Sequence, residues 1–154
     1  ATYMHLHAEK GRALLETDGH NQADETSFII HSHGQLLALD PGYLSWGRRN
    51  ELGNAQNHNM VLINGVGPSK GEPGNTNGAE VFIKDAFHYE NFASSEISTT
   101  YGGAGISRRV HFVRSKYFLM MDALYSTSQN NYQWQLHGYG LENGDQSQAF
   151  LLII

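Results

Sequence analysis

Three separated stretches of the chain carry the side chains that could perform chemistry. His20, Gln22 and Asp24 alternate in one polar segment, Asp40 ends the apolar run that follows, and His58 precedes the next apolar run. Alternate residues of an extended segment project to the same side, so the first three side chains are expected to face one way. Imidazole and carboxylate groups brought together at strand ends suit acid/base catalysis or a divalent metal. A hydrogen-bonded polar set that caps strand ends, without an ion, is the alternative.

The segments between these side chains predict the elements that position them. Residues 27–32 and 35–39 form a predicted hairpin that turns at His33-Gly34, where glycine readily takes a positive φ. Residues 60–64 predict a short strand that begins just after His58. In this arrangement His20, Asp40 and His58 meet at one end of a sheet.

The rest of the sequence predicts an all-β domain built as an antiparallel β-sandwich. Glycine, asparagine and serine are frequent, apolar runs are short, and helix signals are weak, with one short helical turn expected within 12–17. Short strands separated by turn residues at regular spacing are typical of a sandwich. The remaining strands are predicted over 2–7, 79–87, 94–101, 106–113, 117–124, 132–137 and 150–154.

Composition limits the classes of function. The 154 residues suffice for one domain, and we expect a segment of a longer protein because the chain lacks an initial Met and ends within an apolar run. A net charge of −5 with ten Lys plus Arg argues against nucleic-acid binding. Cysteine is absent, so a metal would need His, Asp, Glu, Asn or Gln ligands. The chain contains no apolar run long enough to predict a transmembrane helix.

The segment after Asp40 contains candidate substrate-binding residues. Arg48 and Arg49 could bind a carboxylate or sulfate, and Tyr43 and Trp46 could stack on a sugar ring, although ordinary packing is the alternative for both aromatics.

Two further patterns predict weaker sites. His31 and His33 are two residues apart, which could hold a metal in a jelly-roll enzyme, although polar residues on a half-solvated strand are the preferred interpretation. Arg108 and Arg109 could bind an anion, but a solvated strand edge is preferred for this pair.

The motif around these residues resembles the C-terminal β-sandwich of the heparinase II/III family of polysaccharide lyases. That family usually has His-x-His-x-Asp-x-x-Ser-Phe, then a Gly-bearing hairpin ending in Asp-x-Gly, then His-Asn before a short apolar strand. The matching segments here are His20-Asn21-Gln22-Ala23-Asp24-Glu25-Thr26-Ser27-Phe28, Asp40-Pro41-Gly42 and His58-Asn59. The softer match downstream is Arg108-Arg109-Val110-His111-Phe112-Val113 and the strand from Tyr117 to Asp122.

The resemblance implies a lyase that cleaves uronic-acid-containing polysaccharide by β-elimination. His20 matches a catalytic or carboxylate-contacting histidine, and Gln22, Asp40 and His58 match three metal-ligand positions. One divalent metal, zinc or calcium, is therefore implied, but Gln22 stands where the family has His, and a glutamine oxygen suits zinc poorly. Three alternatives follow from this difference: no metal is bound, the metal is bound more weakly, or Asp24 or His33 substitutes as ligand.

The resemblance also implies partners and a location. The catalytic base would lie in an α/α toroid upstream, so the chain alone is expected to be inactive. The expected partners are an acidic polysaccharide and this missing domain, and the expected location is periplasmic or secreted. A non-catalytic carbohydrate-binding or structural sandwich with a polar or metal cluster is the alternative function.

Overall fold

A computed structural model describes residues 1–10, 21–42, 45–69 and 79–138 of the chain. Within these residues the strands pair antiparallel in three sheets, with orders β1-β2-β3, β4-β9 and β5-β6-β7-β8. The nine strands are β1 Thr2–Leu6, β2 Phe28–Ser32, β3 Gln35–Ala38, β4 Val61–Ile63, β5 Phe82–Tyr89, β6 Phe92–Tyr101, β7 Ala104–Val113, β8 Tyr117–Tyr125 and β9 Tyr132–Trp134.

The predicted all-β antiparallel fold is confirmed, and most predicted strands are present within two or three residues of their expected bounds. The β2–β3 hairpin turns at His33 and Gly34 with φ values of 53° and 79°, as the sequence predicts. The strand predicted over 150–154 and the helical turn predicted within 12–17 lie outside the described residues.

The segment before His58 is more helical than the sequence predicts. It contains 3-10 turns at Trp46–Arg48 and Ala55–Asn57, and one α-helical turn, α1, at Arg49–Leu52. These turns bury Leu52 and Ala55 while keeping the other side chains near solvent. No helix in the described ranges is long and apolar enough to cross a membrane.

The core lies around β4, whose three residues are all buried. Aliphatic and aromatic side chains of β6, β7 and β9 pack around it, and Tyr101 donates a hydrogen bond to the carbonyl of Val61. Because only two residues separate His58 from β4, this core restricts the position of the imidazole at its edge.

Candidate functional site

His58 and Asp40 form a hydrogen-bonded pair, although 18 positions separate them in the chain. The Nδ1 of His58 lies 2.8 Å from Oδ2 of Asp40, and the His58 side chain is fully buried, whereas 30% of the Asp40 side chain is exposed. An ionised carboxylate only accepts hydrogen bonds, so the pairing places a proton on Nδ1, and in the neutral imidazole the lone pair is then on Nε2. That Nε2 is buried and has no hydrogen-bond partner among the described residues.

Local hydrogen bonds hold Asp40 in its ionised form. Burial raises the pKa of the Asp40 carboxyl, but hydrogen bonds from His58 and from the backbone N–H of Gly42 outweigh burial, and the net pKa is lowered. The Gly42 N–H donates to Oδ1 at 2.9 Å, and Gly42 has a φ of 55°, which glycine adopts without strain. The Asp-Pro-Gly turn therefore presents a carboxylate to the imidazole.

The loop that carries Gln22 and Asp24 is bonded to the residues that directly follow β1 and α1. The N–H of His7 donates to the carbonyl of Ser27 at 2.8 Å, and the N–H of Thr26 donates to the carbonyl of His7 at 3.2 Å. A further bond of 2.9 Å joins the Ala23 N–H to the carbonyl of Gly53. The motif loop is thus held beside the segment that leads to His58.

A second cluster of ionisable side chains lies beside the pair. The Nε2 of His7 is 3.7 Å from Oε1 of Glu9 and 3.7 Å from Oδ1 of Asp24. His7 also contributes to lowering the pKa of Asp40, so the cluster and the pair share one electrostatic environment. Burial raises the pKa of Glu9, opposed by His7 and reinforced by Asp24.

Glu25 is the most unusual ionisable residue of this region. Its exposed fraction is 0%, and neither carboxyl oxygen has a hydrogen-bond partner among the described residues. Burial raises its pKa to about 8, the dipole of its own nearby backbone N–H opposes this shift, and the charges of Asp24 and Glu9 add to it. Glu25 is therefore a neutral acid at pH 7 within the motif loop.

Asn59 braces the strands on which the pair rests. Its buried side-chain amide donates to the carbonyls of Phe28 and Leu39, at 2.7 and 2.8 Å, and its oxygen accepts from the backbone N–H of His137 at 2.6 Å. The pKa of His137 is lowered by burial and by the charge of His58, while a bond to Gln56 and the charge of Asp40 oppose the shift.

Arg108 corrects one prediction, since it does not lie on a solvated strand edge. Its exposed fraction is 0%, and its guanidinium donates to the carboxylate of Asp122 and, at 2.6 Å, to the carbonyl of Thr26. The motif loop and Phe28 cover the side of β7 on which Arg108 lies. The central carbon of the guanidinium is 5.3 Å from the centre of the Phe28 ring. Arg109 points outward and pairs with Glu96, as a surface residue would.

Among the predicted substrate-binding residues, the structure brings Trp46 and Arg49 together. The Arg49 guanidinium lies 4.1 Å from the centre of the Trp46 ring, which is 54% exposed. Arg48 instead donates to both carboxylate oxygens of Glu51, at 3.0 and 2.7 Å. His20 and Tyr43 lie outside the described residues.

The predicted metal ligands have one feature that fits a bound cation. A carboxylate that fixes the tautomer of an imidazole, leaving the other ring nitrogen free, is the usual environment of a metal-ligating histidine. Asp40 and His58 have this arrangement, and Gln22 is half-buried in the neighbouring loop. Within the described ranges, no group of three or more His, Asp or Glu side chains is arranged to hold a metal ion.

His31 and His33 do not share a strand face. His31 stacks on Tyr3 with ring centroids 5.0 Å apart, whereas His33 lies in the hairpin turn, and its Nδ1 is 2.8 Å from the hydroxyl oxygen of Ser32. The paired-histidine jelly-roll site therefore lacks its required geometry.

The sequence identified only some of the residues that surround the His58–Asp40 pair. Asp24 was part of the motif, whereas His7 was not among the predicted site residues. Glu25 and Asn59 were part of the matched segments, but nothing in the sequence indicated their burial, and His137 gave no signal, because burial depends on contacts with distant segments.

Solved heparinase structures share this fold. The heparinase III BT4657 gene product with methylated lysines matches 92% of this chain with a TM-score of 0.73 and 21% identity. A crystal structure of heparinase III matches 89% with a TM-score of 0.70 and 18% identity. A heparan sulfate lyase HepC mutant from Pedobacter heparinus matches 77% with a TM-score of 0.62 and 17% identity.

The chain is much shorter than these proteins. It covers 21%, 21% and 20% of their respective lengths, so it spans about a fifth of each. No curated protein matches the chain. A family model described as heparinase II/III-like, C-terminal, matches residues 7–144, and the chain belongs to this family.

Proposed function

We propose that this domain is the β-sandwich portion of a polysaccharide lyase that cleaves uronic-acid-containing polysaccharide by β-elimination. The observation that carries the proposal is the buried His58 bonded to Asp40 beside the loop that follows His20. Family membership over residues 7–144 supports the same reaction class. The sandwich would supply one wall of the substrate cleft, and the rest of the polypeptide would supply the other.

The chemistry requires two contributions that different parts of the protein would make. The proton on C5 of a uronate is weakly acidic, so a base must remove it while positive or hydrogen-bonding groups stabilise the enediolate that develops. The bond from C4 to the glycosidic oxygen then breaks, leaving an unsaturated sugar. We assign contact with the uronate carboxylate to His20, and we place the base outside this chain.

Trp46 and Arg49 would bind the polymer next to the reacting sugar. The exposed indole offers a flat apolar surface to a sugar ring, and the guanidinium beside it offers charge to a carboxylate or sulfate. Arg48 is a weaker candidate for binding the polymer because its guanidinium already forms an ion pair with Glu51. The proposed role of Tyr43 is stacking in the same segment.

Gln22, Asp40 and His58 would hold a divalent cation if one is bound. The bound cation would supply positive charge that stabilises the loop and neutralises nearby carboxylates. The free Nε2 of His58 supports a ligand role for the imidazole, with Asp40 orienting the ring through Nδ1, and an amide oxygen from Gln22 favours a harder ion than zinc.

The experiment is a β-elimination assay on the full protein with heparan-type and other uronate polysaccharides, following the ultraviolet absorbance of the unsaturated product. His20→Ala should lower kcat at least about a hundredfold, with an unchanged melting temperature, whereas the control His33→Ala, in the hairpin turn, should retain full activity. This chain alone should give no product. Absence of elimination by the full protein on every uronate polymer would contradict the proposal.

A non-catalytic carbohydrate-binding sandwich is the second candidate function, favoured by the exposed Trp46 beside Arg49. In that case His20→Ala would lower stability rather than rate, and the full protein would bind polysaccharide without cleaving it. We propose a periplasmic or secreted location for either function, because the proposed acidic polysaccharide would be met outside the cytoplasm.

A further inference from the structure

One end of the four-stranded sheet displays aromatic side chains to solvent. Antiparallel register aligns Tyr89 with Phe92, Phe92 with Val113, and Val113 with Tyr117, so these four side chains share one face in a row across the sheet. Phe87 precedes Tyr89 by two residues and therefore lies on the same face. We call Phe87, Tyr89, Phe92 and Tyr117 the aromatic row.

The rings of Phe87, Tyr89 and Phe92 form one contact group, and Tyr117 lies two strands from Phe92 on β8; Phe92 is half-buried, and the other three rings are exposed. Phe87 lies 5.8 Å from Tyr89 and 5.9 Å from Phe92 between ring centroids. Tyr89 is 69% exposed, Tyr117 54% and Phe87 40%. Exposed apolar rings that form a group, rather than occurring singly, mark a binding surface.

Cationic side chains border the aromatic row. The β7–β8 turn contains Arg114 and Lys116, both exposed, and the neighbouring β5–β6 turn contributes one carboxylate, Glu90. The N–H of Arg114 donates to the carbonyl of Asn91 at 2.7 Å, which fixes the two turns side by side. Cations therefore outnumber the acid at this end of a chain whose net charge is −5.

The aromatic row lies far from the candidate site. β5 begins at Phe82, which contacts Lys10 near the Glu9 cluster, and ends at Tyr89. Seven strand steps separate the two ends, a distance of about 23 Å. A ligand on the row is thus separate from one held by Asp40 and His58.

We infer that the aromatic row and its bordering Arg114 and Lys116 bind a second segment of an acidic polysaccharide. The flat rings suit the C–H faces of sugar rings, and the cations suit carboxylate or sulfate groups. The half-buried His111 packs against Phe92, with ring centroids 5.1 Å apart, and supports the rings from within the sheet face. The inference rests on the proposed function for the polymer class. A second contact with the same chain would raise affinity for long polymers through effective concentration.

The test measures binding of the full protein to immobilised heparan sulfate and turnover of a heparan sulfate tetrasaccharide, which is too short to reach both surfaces. Tyr89→Ala/Tyr117→Ala should weaken binding to the long polymer about tenfold, equivalent to about 1.4 kcal/mol. Arg114→Gln/Lys116→Gln should weaken it and reduce its salt dependence. Turnover of the tetrasaccharide should not change in either variant.

Matched controls separate binding from folding. Tyr125→Ala removes an exposed tyrosine from the same face of β8 at the opposite end, and its affinity should be unchanged. Tyr89→Phe/Tyr117→Phe keeps the rings and should retain affinity even if the alanine variant is destabilised.

Two binding results would overturn the inference of a second polysaccharide-binding surface. Wild-type affinity in both double variants, or equal binding to uncharged dextran, would overturn it. Loss of binding in the variants of a protein that cleaves no polysaccharide would contradict the lyase proposal while supporting the second binding surface.

Discussion

Arg108 and Asp122 form a buried bidentate ion pair, with Nε–Oδ1 and Nη2–Oδ2 distances of 2.8 Å each. The same guanidinium donates to the carbonyls of Thr26 and, at 3.3 Å, Asn59, which belong to the two segments that hold the candidate site. One side chain of β7 therefore connects the sheet to both segments.

Removing one member of this pair should strongly destabilise the fold. Arg108→Met leaves the Asp122 carboxylate buried and two carbonyls without a donor, so the free energy of unfolding should fall by about 3–5 kcal/mol. Urea denaturation of the wild type and the variant measures this loss in the free energy of unfolding. Arg109→Met is the matched control on the same strand, since its exposed pair with Glu96 should contribute about 1 kcal/mol or less. Equal losses in the two variants would contradict the assignment of Arg108 as a structural link.

Glu25 should make stability depend on pH over an unusual range. The unfolded chain releases this proton near the ordinary pKa of 4.5, whereas the folded protein releases it near pH 8. Between those values the folded state binds one more proton, so the free energy of unfolding should fall as pH rises, by about 1.4 kcal/mol per unit at most. Glu25→Gln cannot ionise and should flatten this decline between pH 5 and 8.

The control for Glu25 is Glu51→Gln, a change at an exposed carboxylate on α1. Melting temperatures measured from pH 5 to 9 for wild type and both variants give the comparison. Parallel curves for wild type and Glu25→Gln would show that Glu25 is ionised in the folded protein.

Asn59→Asp tests the hydrogen bonds that the Asn59 amide donates to β2 and to the residue after β3, with almost no change in side-chain volume. A carboxylate cannot donate to the carbonyls of Phe28 and Leu39, so two buried acceptors lose their partners and a charge is buried. The melting temperature should fall sharply, by an amount that reflects about 2–5 kcal/mol. Asn54→Asp, at an exposed position of the neighbouring segment, should change it little. A similar fall in both variants would indicate a general charge effect.

The sequence predicted the hairpins well because the turn residues and the strand alternation that define a hairpin are adjacent in the chain. His33-Gly34 and the turn at 114–116 join strands whose alternation is visible in sequence, and both hairpins are present. Arg108 was misassigned for the opposite reason. Alternation shows that Arg108 and Arg109 face opposite ways, but only the distant motif loop determines which face is covered.

The part of the candidate site that local signals define was also predicted. The meeting of Asp40 and His58 followed from strand ends that the hairpin and β4 define, and the structure places the two side chains 2.8 Å apart. The short helical turns over 46–57 were missed because segments of three or four residues have little helical preference of their own and form through packing of Leu52 and Ala55.

Gln22→His should convert the proposed harder-ion site into a zinc site. An imidazole at position 22, in the loop near His58, would add a second nitrogen ligand of the kind that zinc prefers, whereas the wild-type amide oxygen suits calcium better. Zinc content after dialysis, measured by elemental mass spectrometry, should rise from well below one to about one ion per chain in the full protein. Gln35→His, at an exposed end of β3, is the control and should retain no zinc. If the wild type already holds zinc as tightly as the Gln22→His variant, the glutamine is not what weakens the site, and another residue completes it.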